Sequence, residues 1–215
     1  MMALLTGARA NELAQLRLSD IKDDQLVPFF DINEDADSDG ERRKSLKTKT
    51  SKRHVPIHPK LIELGFLDYV QEIRSAGHWC LFREMEPQKA TGERPVYNSQ
   101  MANWFFRYRK ACDVLKNEDG KPVFHSFRHT AATRLENADV PLHRLSGVLG
   151  HLQDGEYLQT YAKLDKAKVR TELVKMEFPH DVMNALPSWK DIEFSEPQPL
   201  PVVLGLRQCL LNAEK

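Results

Sequence analysis

HSFRHTAATRLEN, residues 125–137, is the stretch from which the rest of the chain is most directly read. Its apolar residues recur at helical spacing, which predicts a helix over Ser126–Asn137 with His125 near its start. His125 and Arg128 lie three apart and His125 and His129 four apart, so all three share one helical face. A His pair at this spacing can ligate a metal. No acidic residue lies between them in the metalloprotease pattern, however, and Arg128 would repel a cation. Taken alone, such a cluster is more often structural than functional.

Downstream, Pro141 opens a further helix that stops at Gly150. LGHLQDGEYLQTY follows, with His151 directly after the glycine and Tyr157 and Tyr161 one helical turn apart. Short helices are predicted over Gly155–Lys163 and Lys166–Met176. Beyond Pro187, SEPQPLP reads as an extended linker and VVLGLRQCLL as a short apolar tail.

Upstream, the Thr6-Gly7 break precedes a predicted helix over Ala8–Arg17. This sets Arg9 at a helix start, where a guanidinium beside backbone N–H groups suits an anion. Gln25–Ile32 (QLVPFFDI) reads as a strand that Pro28 would keep at an edge or bulge. Short strands around Lys44–Lys47 and Arg53–Ile57, joined by a Lys/Thr/Ser turn, read as a hairpin whose basic loop could enter a DNA groove. Pro59–Ala76 and Asn98–Cys112 return to helical period, the latter with Asn98 or Ser99 as N-cap and Trp104 and Phe105 as apolar anchors. The fold class is α+β, mainly α, with one small antiparallel sheet.

A composition of 41% apolar and 29% charged residues over 215 positions fits one soluble domain with an extension. No apolar run approaches the ~20 residues of a membrane helix, and Met1–Leu5 is too short and lacks the basic flank of a secretory signal. Cys80, Cys112 and Cys209 are odd in number and have no metal-ligand spacing, which points to a reducing cytoplasm. The net charge of zero is unevenly spread: DINEDADSDGE (31–41) is followed at once by RRKSLKTKTSKR (42–53). A zero total can therefore hide a basic working face.

In this order, an Arg after a Gly turn, a Lys hairpin, His-x-x-Arg, Gly-His and a Tyr, the chain resembles the catalytic domain of the tyrosine recombinases, the phage integrase family. TGARANELAQLRLSDI is similar to the family's first box, KTKTSKRHVPIHP to its hairpin lysine with the following Val-Pro, and HSFRHTAATRL to its second box. LGH followed by Tyr completes the set. The resemblance spans about residues 3 to 180. It implies a tyrosine-type site-specific recombinase or integrase of a mobile genetic element, which cleaves and rejoins DNA through a 3′-phosphotyrosine without metal or cofactor. Its implied partners are double-stranded DNA and further copies of itself, as a tetramer on DNA. The reading expects no membrane partner and a cytoplasmic setting.

Carried over by position, Arg9 and Arg128 clamp the scissile phosphate and Lys47, with Lys49 as the fallback, protonates the leaving 5′-oxygen. His125 helps the nucleophile, His151 bonds the phosphate and Tyr161 attacks, Tyr157 coming too early. The resemblance makes residues 1–186 a catalytic domain lacking the N-terminal DNA-binding domain that the family normally carries, and 187–215 a linker and tail. Two other readings share these residue types: DNA relaxation of the type IB topoisomerase kind, and a DNA-binding module that has lost catalysis. The recombinase reading carries a structural expectation, that Arg9, Arg128, His125 and His151 converge on one concave patch.

Overall fold

The computed structural model describes residues 1–24, 27–37, 40–48, 51–82, 85, 97–114, 122–150 and 165–188. Lys49, His151, Tyr157, Tyr161, the helix predicted over Gly155–Lys163 and nearly all of the tail lie outside the described residues. The fold is mainly helical with one small antiparallel sheet, as the sequence predicts.

Three strands, β1 (Ile21–Asp24), β2 (Val27–Ile32) and β3 (Arg53–Pro56), pair in the order β1-β2-β3. Every residue of β2 is buried, and Phe30 and Ile32 join Val55 and Ile57 in the main core. Pro28 lies in the central strand, not at an edge. Its carbonyl accepts from Ile57 N–H at 2.8 Å, but its ring nitrogen has no hydrogen to return, so the β2–β3 ladder ends where the proline stands. The third strand comes from Ile21–Asp24 rather than Lys44–Lys47. The Ser45 backbone bonds the side chains of Gln15 (2.9 Å) and Asn11 (3.3 Å) instead of a strand, while Leu46 is buried in the core.

Helices α1 (Met2–Thr6) and α2 (Ala10–Ala14) flank the turn at Gly7. α2 stops three residues short of the predicted end because the chain turns to pair with another segment. Leu18 N–H donates to the Trp79 carbonyl and Leu81 N–H to that of Leu16, bridging Arg17 to Cys80. The helical run after His58 is split into α3 (Pro59–Glu63) and α4 (Phe66–Ser75) by Gly65, whose φ of 87° no helix accommodates. α5 (Asn98–Ala111) begins one residue after Tyr97, which takes the N-cap place expected of Asn98 or Ser99 and donates its N–H to Asn11 Oδ1. α6 (Ser126–Asn137) and α7 (Leu142–Leu149) match their predicted bounds. α8 (Lys166–Val174) and α9 (His180–Asn184) follow.

The acidic and basic stretches neutralise one another locally. Asp37 holds both Arg17 and Arg43 at 3.1 Å, and Asp35 holds Lys52 at 3.0 Å. The ammonium of Lys44 is buried on Asp20 at 2.9 Å. Burial raises the Asp31 carboxyl, but His54 and Lys22 outweigh it and hold the group well below the usual carboxylate range. Asp31, Asp35 and Asp37 of the acidic stretch are therefore structural counter-charges for the cations packed against them.

Candidate active site

The site is organised by two glycine turns. Gly7 caps α1 with φ 63°, and a Cβ there would lie 2.6 Å from Leu149 Cδ2, so both backbone conformation and packing require glycine. The turn sets Arg9 as the N-cap residue of α2, and Glu12, one turn on, accepts the Arg9 N–H at 2.8 Å. Gly150 caps α7 with φ 67°, and a Cβ there would lie 3.0 Å from Arg53 Nη1.

Three arginines from three elements meet at the carboxyl end of α7. Arg53 Nε donates to the Val148 carbonyl (2.7 Å), Arg128 Nη2 to that of Leu149, and Arg9 Nη2 to that of Gly150 (3.4 Å). Arg128 Nη1 also donates to the Gly7 carbonyl at 2.7 Å, tying both glycine turns to α6. A helix carboxyl end attracts cations through its unpaired carbonyls. It anchors guanidinium groups without cancelling their charge, as carboxylates would.

One carboxylate does enter the cluster. Glu12 takes two hydrogen bonds from Arg53 (3.0 and 2.8 Å) and one from Arg9 Nη1 (2.8 Å). Burial would raise the Glu12 carboxyl, but the charge and hydrogen bonds of Arg53 and Arg9 outweigh it and hold the group at about 2. Burial, together with Arg9 and Arg53, pushes the Arg128 guanidinium down to about 9. Three positive groups against one negative leave an excess that an incoming anion would relieve. The Nε of Arg128, a residue 2% exposed, is buried without a partner among the described residues.

Arg9, Lys47 and His125 line one open cavity of about 560 Å³, with Asn11, Glu12 and Val123. Lys47 and His125 are exposed there. Burial and the positive neighbours His129, Arg128, Arg9 and Lys47 lower the His125 imidazole, favouring its neutral form. The structure thus brings Arg9, Arg128, His125 and Lys47 into one neighbourhood although Arg9 and Arg128 are 119 positions apart. Arg128 is turned onto backbone carbonyls rather than into the cavity. His151 and Tyr161 lie outside the described residues, though Gly150, next to His151, belongs to the cluster.

A family model, that of the phage integrase family, matches residues 1–168. The chain belongs to the phage integrase family. No curated protein and no solved structure matches it. Membership in the phage integrase family means a family of site-specific recombinases and integrases, and implies DNA as the partner. Among the described residues, no helix is long and apolar enough to cross a membrane and no group of three or more His, Cys, Asp or Glu could hold a metal ion.

Sequence reading passed over Glu12 and Arg53. Glu12 stands three residues after the N-cap, where a carboxylate closes a capping box. Arg53 alternates with Val55 on the inward face of β3, with His54 exposed between them. Either signal was available, but a charge in a basic run is usually solvated.

Glu12→Gln should lower the melting temperature by roughly 6–12 °C, because it strips a buried ion pair of its charge at a cost of about 3 kcal/mol. The pH dependence has a definite sign. The carboxyl is depressed in the folded chain, from 4.5 to about 2, so its stabilisation is present above pH 4.5 and lost as pH falls towards 2. Acid titration of stability should therefore be flatter in the variant between those values. An unchanged acid slope would show that Glu12 is not the ionised centre of the cluster.

Proposed function

We propose that the chain is a tyrosine-type site-specific recombinase that cleaves and rejoins double-stranded DNA through a 3′-phosphotyrosyl link at Tyr161, acting as a tetramer on its DNA site. The observation that carries this reading is the gathering of Arg9, Arg53 and Arg128 at the carboxyl end of α7, beside a cavity lined by His125 and Lys47. Like charges brought together with one carboxylate between them make a poor structural device and a good oxyanion site.

In this mechanism the Tyr161 oxygen attacks the scissile phosphorus and its proton passes to His125, whose lowered affinity for a proton keeps it neutral beforehand. Arg9 and Arg128 turn from the α7 carbonyls to the non-bridging oxygens as charge builds on them. His151 donates to the same phosphate. The bond to the 5′-oxygen breaks, and Lys47 supplies the proton to that oxygen. The phosphotyrosine conserves the bond energy, so the free 5′-hydroxyl of a partner strand can reverse the sequence of steps. Residues 1–186 supply this chemistry, and the segment from 187 onward is a linker and tail.

The test is a nicked suicide duplex, whose cut strand diffuses away and traps the enzyme covalently on DNA. An adduct that survives denaturation is expected, at an undiminished rate in excess chelator, because two arginines and a lysine provide the positive charge that a metal would otherwise give. A strict need for a divalent ion in the cleavage step would overturn the reading.

A further inference from the structure

Arg53 spends every guanidinium nitrogen inside the protein: Nη1 and Nη2 fork onto the two oxygens of Glu12, Nη1 also reaches the Ser51 carbonyl (2.8 Å), and Nε holds Val148. Its side chain is 4% exposed, against 19% for Arg9. These bonds use four of the five guanidinium N–H groups and the side chain is buried, so Arg53 is not presented to a phosphate, whereas Arg9 lines the open cavity. Yet both arginines bind the same carboxylate. Were Glu12 to face Arg9 alone, the pair would be neutral, and a guanidinium whose charge is cancelled by a buried carboxylate attracts a second anion less.

We propose that Arg53 is a positioning residue that shares the charge of Glu12, so that Glu12 can orient Arg9 without neutralising it. The inference rests on the recombinase reading for the role of Arg9, but not for the charge balance itself. Arg53 and Glu12 cancel as a pair, and Arg9 with Arg128 is left carrying two positive charges. Arg53→Met lowers that total to one, Glu12→Gln raises it to three, and both changes together restore two. Arg53 also packs beneath Gly150, so the balancing group sits at the turn that leads to His151.

The experiment is a double-mutant cycle of the wild type, Arg53→Met, Glu12→Gln and the double variant, in the full chain. The probe is inorganic phosphate, and its binding is followed at the His125 ring by NMR beside a melting curve for each protein. Phosphate should bind about tenfold more weakly to Arg53→Met than to the wild type, with the double variant close to the wild type and Glu12→Gln tightest. A purely structural Arg53 would change melting temperatures and leave the affinity of the folded protein alone. If Arg53→Met does not fold, the wild type, Glu12→Gln and double variant still give an order, since removing both buried charges is far milder than removing one. Wild-type affinity in Arg53→Met would overturn the proposal, as would a double variant that binds much more weakly than the wild type. A wild type that forms no DNA adduct yet shows the expected phosphate order would sink the recombinase reading alone. Adduct formation with a flat phosphate order would sink only the role of Arg53.

Discussion

Tyr161→Phe abolishes covalent adduct formation on a nicked suicide duplex, and Tyr157→Phe largely spares it. A phenylalanine ring has no oxygen to join to phosphorus, so the expected loss is complete, whatever remains of the phosphate site. The assignment rests on the distance from Gly150-His151 to Tyr161 in the family's box order. Both tyrosines fall on one face of a predicted helix, one turn apart, so a shift of register by one turn would exchange their roles. A phenol with a pKa near ~10 needs a cationic field or a base to attack at neutral pH, and the arginine cluster with His125 is the field proposed for it. Equal loss in the two variants, or loss in Tyr157→Phe alone, would assign the nucleophile elsewhere.

Arg9→Lys and Arg128→Lys should each slow cleavage by about 10²–10³-fold at saturating DNA, the usual cost of removing one hydrogen-bond donor from a developing oxyanion. The two variants should differ in stability. Arg128 ties the carbonyls of Gly7 and Leu149 at 2% exposure, and a lysine cannot span both. Leaving one buried carbonyl unpaired costs roughly 1–3 kcal/mol, which corresponds to a fall of several degrees in melting temperature for a chain of this size. Arg9 bonds Gly150 at the longer distance of 3.4 Å and is partly exposed, so Arg9→Lys should melt close to the wild type. Single-turnover cleavage together with calorimetry checks both halves. A variant at Arg9 that melts early but cuts at the normal rate would make this arginine a structural residue.

The sequence by itself determined the helical segments around the site and the family. Ser126–Asn137 and Leu142–Leu149 form as their periodicity and their Pro and Gly boundaries require, because those signals are local and the backbone obeys them within a few residues. The glycines at 7 and 150 were legible as turns for the same reason. The box order placed Arg9, Lys47, His125, Arg128, His151 and Tyr161 as candidates, though nothing local could say that they meet. Only the tertiary structure decided which strand completes the sheet. Side chains of Asn11 and Gln15 claimed the Ser45 backbone, and Pro28 proved tolerable inside β2 because it stands where the ladder to β3 ends. It also decided the meaning of the charges. Asp37 became the counter-charge of Arg17 and Arg43 and Asp35 that of Lys52, and Arg53, one cation among many in a row, became the buried partner of Glu12 from another element. Ion pairs of this kind are set by which surfaces pack together across long separations in the chain, and composition and spacing carry no record of that.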